Sequence, residues 1–245
     1  MRQARERYEH PLEVAAYAGQ VAGGLTPEEE ALRRRYVTKQ SRVLNVGCGA
    51  GREAIALLKE GHRVVGTDIS RAMLRAARRL AVEHQVELPL VWMPDPLKLP
   101  VPADAFDCVL ALAQLLSHIP SRENRITLLR EMHRALVPGG LLLATVTDRQ
   151  ASADLLGEGD DAATAPLLQA AGWEEGDLWV WQPSEAKLDT PLFFHLHTAE
   201  EITEELTAAG FTLVASILGN ELAPAAAADA GRYRYIVATK ESVAQ

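Results

Sequence analysis

Arg42-Val43-Leu44-Asn45-Val46-Gly47-Cys48-Gly49-Ala50-Gly51 is the stretch whose reading decides the fold. A short β-rich run ends in glycines at alternate positions, and a helical pattern through Ala54, Ile55, Leu57 and Leu58 follows. Glycine tolerates both the turn angles and the close backbone approach to a ligand that such a loop demands. The helix start beyond it offers free N–H groups and a partial positive charge. Several kinds of nucleotide-binding α/β protein share this arrangement, so spacing must narrow it. The dinucleotide pattern G-x-G-x-x-G, counted from Gly47, finds Arg52 in its last place. Counted from Gly49 it finds Ala54, which a looser pattern accepts, but the first glycine then no longer ends the strand.

Working outward, His62 to Thr67 reads as a second strand, with Gly61 closing the helix before it. Asp68 ends that strand, where a carboxylate can accept both hydroxyls of an adenosine ribose or, in the other reading, help cap the helix that starts near Ser70. Ser70 caps a helix with Met73, Leu74, Ala77 and Leu80 on one face. Leu88–Met93, Phe106–Leu112 and Leu141–Val146 read as further strands, with a helix capped by Ser121 and stopped by Pro138-Gly139-Gly140 before the last. Short apolar strands alternating with helices indicate βαβ units and a parallel sheet. Phe211–Leu218 and Arg232–Thr239 have no crossover helix between them and are expected to be antiparallel. Upstream, Pro11–Gln20 and Pro27–Val37 read as helices, the second opened by Thr26 at N-cap and Pro27 at N1. Thr198-Ala199-Glu200-Glu201 is a capping box for a late helix.

The fold expected is α/β, Rossmann-like: a seven-stranded, mostly parallel sheet with helices on both faces and a C-terminal antiparallel hairpin. One domain over 1–245 is expected, comprising a helical cap (1–40), a cofactor-binding core (41–147), an insertion over the acceptor site (148–197), and a C-terminal helix with antiparallel strands (198–245). The formal net charge of −8 argues against a protein that grips nucleic acid by its phosphates, although Arg33-Arg34-Arg35 and Arg71, Arg75, Arg78 and Arg79 form local basic runs. No stretch approaches the ~20 apolar residues that span a bilayer. Two cysteines without metal-ligand spacing, and an N-terminus without a signal-like apolar run, lead to the expectation of a cytoplasmic, reduced protein.

These motifs together resemble class I S-adenosylmethionine-dependent methyltransferases. Val43 to Gly51 resembles the family's first motif, and Gly66-Thr67-Asp68-Ile69-Ser70 with Met73 its second. Asp95-Pro96-Leu97-Lys98-Leu99-Pro100 is similar to the third, and Phe106 to Val109 with Gln114 to Ile119 to the fourth. Leu129 to Gly140 matches the R-x-L-x-P-G-G ending. The resemblance covers roughly residues 40 to 147, with weaker support from 198 to 240. It implies S-adenosylmethionine as cofactor, with S-adenosylhomocysteine as product. It also implies a cofactor site of Asn45, Gly47, Cys48, Gly49, Gly51, Asp68, Ile69, Met73, Asp95, Pro96, Ala111 and Gln114. Two departures stand out. Asn45 replaces the usual Asp or Glu and carries no charge, and Pro96 offers no N–H to the adenine ring.

His118, in the segment expected near the cofactor's methyl end, is the candidate general base; its alternative is to satisfy the turn before Pro120. His195 and His197 alternate in Phe193-Phe194-His195-Leu196-His197 and are candidate substrate-binding residues, with plain surface as the other reading. Without a third ligand they make no metal site, and no metal is expected. Trp179 and Trp181 share an alternation and could stack on an acceptor or pack the insertion on the sheet. The acceptor expected is a small molecule, methylated on O or N. A tRNA acceptor, a nicotinamide-dependent oxidoreductase and a non-catalytic adenosyl-ligand-binding protein are the alternatives. Oligomeric state is not legible.

Overall fold

The computed structural model describes residues 2–37, 39–153, 172–180, 191–224 and 230–242. Strand β1 (Arg42–Val46) lies at the centre of a sheet with β2 (Arg63–Asp68), β3 (Leu90–Trp92), β4 (Phe106–Ala111), β5 (Leu136–Thr147), β8 (Phe211–Leu218) and β9 (Tyr233–Lys240). The seven strands run in the order β3-β2-β1-β4-β5-β9-β8. The first five pair in parallel, and β9 is antiparallel to both β5 and β8. Strands β1 and β4 are apolar almost throughout because both faces of a parallel sheet are covered.

Helices α4 (Arg52–Lys59), α5 (Arg71–Glu83) and α3 (Pro27–Tyr36) bury Ile55, Leu57, Met73, Ala77 and Leu32 on one face, with Val43, Val64 and Leu110. Helices α6 (Arg122–Ala135) and α7 (Ala199–Ala208) bury Leu128, Leu129, Met132, Ile202 and Leu206 on the other, with Leu44, Val109 and Leu142. Caps stand where the local chemistry places them: Ser70 and Ser121 accept the N–H of Met73 and Asn124, and Thr26 and Thr198 form capping boxes with Glu29 and Glu201.

Several boundaries differ from expectation. Strand β5 begins at Leu136, not Leu141, because Leu136 already pairs with Phe106 and the Pro138-Gly139-Gly140 run is an excursion within the strand. Gly139 has φ +80°, and a Cβ at Gly140 would lie 2.9 Å from the Val137 carbonyl oxygen, so both positions require glycine. Strand β3 is shorter than read, starting at Leu90, after Pro89. A first helix, α1 (Arg2–Tyr8), precedes α2 (Pro11–Gln20) and went unread because its basic sequence has no apolar stripe. Within the expected insertion, β6 (Asp177–Val180) and β7 (Leu192–His195) form a separate antiparallel pair. Trp181 lies outside the described residues. No helix among the described residues is long and apolar enough to cross a membrane.

Candidate functional site

The carboxyl ends of β1, β2 and β4 open on a cleft of about 840 Å³, part of it in contact with solvent. This is the edge where ligands bind in open α/β sheets, and the volume suits a nucleoside-sized molecule. Gly47, at φ +67°, and Gly49, at φ +52°, bring bare backbone to the wall. A Cβ at Gly47 would stand 3.0 Å from Leu115, whereas Gly49 faces open space, with Tyr17 the nearest atom at 3.9 Å. Asp68, at the end of β2, accepts the N–H of Gly49 at 2.9 Å and of Ser70 at 2.7 Å. Burial outweighs these bonds and pushes its carboxyl up to about 6. Ile69, Met73, Met93 and Pro96 supply apolar wall on one side, and Leu112, Ala113 and Leu115 on the other.

Part of the expected cofactor set lies elsewhere. Gly47, Gly49, Asp68, Ile69, Met73 and Pro96 are on the wall. Asn45 is buried beneath it, with its Oδ1 unpartnered among the described residues. Cys48 turns away, its sulfur packed towards Gly66, where an added Cβ would meet it at 2.8 Å. Gly51, at φ +93°, lies under α5 instead, with Ala77 and Leu88 3.3 and 3.4 Å from where a Cβ would be. Asp95 is exposed and accepts the Leu97 N–H, so Pro96 and Met93 form the wall at that loop. Ala111 is fully buried in the strand beside Ala144, and Gln114, in the left-handed region at φ 57°, is replaced on the wall by its neighbours Ala113 and Leu115.

Over this cleft lie α1 and α2, which contribute Ala4, Tyr8 and Tyr17. The Tyr8 and Tyr17 rings meet edge-on at 5.8 Å. Three polar contacts pin the cap: Arg5 donates to the Pro94 carbonyl at 2.6 Å, Ser70 Oγ to the Tyr8 carbonyl at 2.9 Å, and the Arg71 N–H to Glu9 at 2.6 Å. Glu9 thus places a carboxylate at the positive N-terminus of α5. Neither tyrosine was read as a site residue; tertiary docking alone brings them to a loop more than thirty positions away.

His118, in the turn after β4, shares its Nδ1 with the Phe193 carbonyl oxygen at 3.2 Å and packs its ring on Phe194 at 4.3 Å. A carbonyl only accepts, so Nδ1 carries the proton and Nε2 keeps its lone pair. Desolvation pushes the imidazole down to about 4, which holds it neutral. His118 and Ala4 also line a second cavity, of about 550 Å³, with Gln3, Pro120, Trp179, Leu192 and Phe193.

His195 and His197 line neither cavity. Both are fully buried. They sit in a network of charged and polar groups joining the β6–β7 pair to α6 and α7, with His197 held neutral because burial pushes its imidazole down to about 4. His195 Nδ1 meets Asp177 at 2.7 Å, and His197 Nε2 lies 3.7 Å from Glu205. Arg125 bridges Glu174 and Glu205, each at 2.7 Å. Asp177 and Glu174 are the partners for His195 that the sequence did not show, and with it they form the one group among the described residues that could hold a metal ion. The Arg125 guanidinium already occupies Glu174 Oε2, so the group acts as a charge network without needing a cation.

An S-adenosyl ligand fits the main cleft on three counts. Asp68 can accept ribose hydroxyls, the buried Asn45 Oδ1 lacks a donor among the described residues, and Gly49 leaves room for close approach.

Comparison with known proteins agrees with this geometry. A family model for a methyltransferase domain matches residues 43–140. A protein of Encephalitozoon cuniculi, provisionally named a methyltransferase, is 30% identical over 180 residues, covering 73% of this chain and 74% of that protein. Methyltransferase GfsG of Streptomyces halstedii is 36% identical over 141 residues, 56% of this chain and 46% of that protein. The chain thus spans about half the length of GfsG, as it does of several other curated relatives. The crystal structure of a SAM-dependent methyltransferase of Methanosarcina mazei superposes with a TM-score of 0.70 at 20% identity, covering 90% of this chain and 100% of that one. By the order of its strands, the glycine loop at their carboxyl edge and these matches, the chain belongs to the class I S-adenosylmethionine-dependent methyltransferase family.

Proposed function

We propose that this chain is a cytoplasmic methyltransferase that moves the methyl group of S-adenosylmethionine to an oxygen or nitrogen of a small molecule. The observation that carries the reading is His118, which lies on the wall of both the glycine-loop cleft and the second cavity. A donor held in the first and an acceptor held in the second would meet beside one neutral imidazole. When bound, the cofactor supplies an already activated methyl group, so the protein's task is alignment. Asp68 would hold the ribose, the Gly47 and Gly49 backbone would lie against the ligand, and Pro96 with Ile69 would flank the adenine. Asn45 Oδ1 would accept a hydrogen bond at the methionine end, or bind the water that links to it. His118 Nε2 would take the proton that an O–H or N–H acceptor loses. The α1–α2 cap and the β6–β7 pair would lie over the acceptor and exclude water. The acidic balance, and a second cavity lined by no charged side chain among the described residues, favour a small acceptor over RNA.

Calorimetric titration with S-adenosylhomocysteine and, separately, with NADH tests the reading. Binding of the first alone is expected, and Asp68→Ala should abolish it. NADH binding alone would transfer the chain to the oxidoreductases.

A further inference from the structure

We infer that the second cavity takes an uncharged, ring-bearing acceptor and presents a phenolic hydroxyl to His118; this rests on the methyltransferase reading above. Trp179 and Phe193 face each other across the β6–β7 pair, their rings 5.9 Å apart and edge-on, and both line the cavity with Leu192 and Pro120. Trp179 is 39% exposed, so part of its ring remains open on the cavity wall. A planar ring is the shape such a wall stacks.

Charge among the described residues favours a neutral acceptor. No Lys, Arg, Asp or Glu among the described residues lines the cavity. A carboxylate acceptor would call for a guanidinium, and the arginines near the hairpin are committed elsewhere: Arg122 to Glu204, Arg125 to Glu174 and Glu205, Arg149 to Glu201. An ammonium acceptor would call for a free carboxylate, and the same pairs occupy those. A neutral hydroxyl needs neither, but it must lose its proton, and a positioned lone pair serves it. The Phe193 carbonyl, on the strand that supplies the aromatic wall, holds the His118 tautomer with Nε2 unprotonated. In the step, an oxygen lone pair forms the new C–O bond while the S–C bond breaks and its electrons stay on sulfur. The O–H proton passes to Nε2, so the positive charge moves from sulfonium to imidazolium. Because the oxygen becomes strongly acidic as the C–O bond forms, a weakly basic imidazole suffices.

The test uses the full chain and three ring-matched probes, 1-naphthol, 1-naphthoate and 1-naphthylmethylamine, with labelled S-adenosylmethionine. S-adenosylhomocysteine binding is measured first by calorimetry, and its absence would remove the methyltransferase reading and this inference with it. Given that binding, transfer to 1-naphthol should exceed transfer to either other probe about tenfold or more. Trp179→Ala should raise KM for 1-naphthol about tenfold with S-adenosylhomocysteine affinity unchanged, and Trp179→Phe should restore most of it. His118→Gln should lower kcat about a hundredfold with little change in KM. Preference for 1-naphthoate or 1-naphthylmethylamine, no transfer to any probe, or a Trp179→Ala variant with unaltered KM would overturn the inference while leaving the cofactor site standing.

Discussion

Asp68 and His118 show how burial assigns opposite roles to two titratable groups in one cleft. Burial raises the carboxyl to about 6, above its unfolded value of 3.8, and lowers the imidazole to about 4 from 6.5. For Asp68 the sign is unfavourable to folding. The folded chain binds the proton more tightly, so stability is greatest below the unfolded value and falls as pH rises from there through about 6. Ligand binding runs the other way, because ribose hydroxyls need the ionised carboxylate as acceptor. Calorimetry between pH 5 and 8 should therefore show S-adenosylhomocysteine affinity rising through about pH 6 and levelling above it. Asp68→Asn should flatten that profile, and a wild-type profile with no inflection there would reject the assignment. His118, neutral throughout this range, adds no limb of its own. At Gly51 a side chain would adopt a left-handed φ of +93° and meet Ala77 at 3.3 Å. Gly51→Ala should cost about 1–2 kcal/mol in urea unfolding, and an unchanged midpoint would contradict a role for this glycine in seating α5.

Among the elements, α1 and α2 are joined to the nucleotide edge by polar contacts, chiefly Arg5 to Pro94 and Glu9 to the start of α5, and by Tyr8, Val14, Tyr17 and Ala18 packed on the core. Hydrogen exchange over residues 2–20 should slow when S-adenosylhomocysteine is added, and Glu9→Ala should raise exchange there in the free protein. Equal rates with and without ligand would show that the cap does not respond to the cleft. The joint between α6, α7 and the β6–β7 pair is of another kind, since Arg125 and Glu205 are both almost wholly buried. Removing one partner strands the other's charge, so Arg125→Ala should destabilise by about 3–5 kcal/mol. The double variant Arg125→Met with Glu205→Leu should cost much less. Additive losses in denaturant titrations would show that the two do not act as a pair.

Across the whole molecule, legibility in the sequence followed the range of the interactions concerned. The succession of strands and helices, the glycine loop and the four caps depend on neighbours within a few positions, so periodicity and turn chemistry revealed them, whereas the order of the strands in the sheet is set by distant pairings. The neutral His118 was legible as a candidate, but its tautomer is set by the Phe193 carbonyl, 75 positions away. Tyr8 and Tyr17 gave no signal, because nothing in α1 or α2 records that they dock over Gly47. The surroundings of His195 and His197 were not legible for the same reason. Alternation showed that they share a side, but not that Glu174, Asp177, Glu201 and Glu205 would surround that side in the folded chain. The sequence by itself determined the α/β architecture and the nucleotide edge, because backbone geometry and alternating apolar runs are written locally. Only the tertiary structure decided which of the expected residues reach the cleft, what covers it and how the second cavity is lined, because burial and charge pairing arise only when distant segments meet.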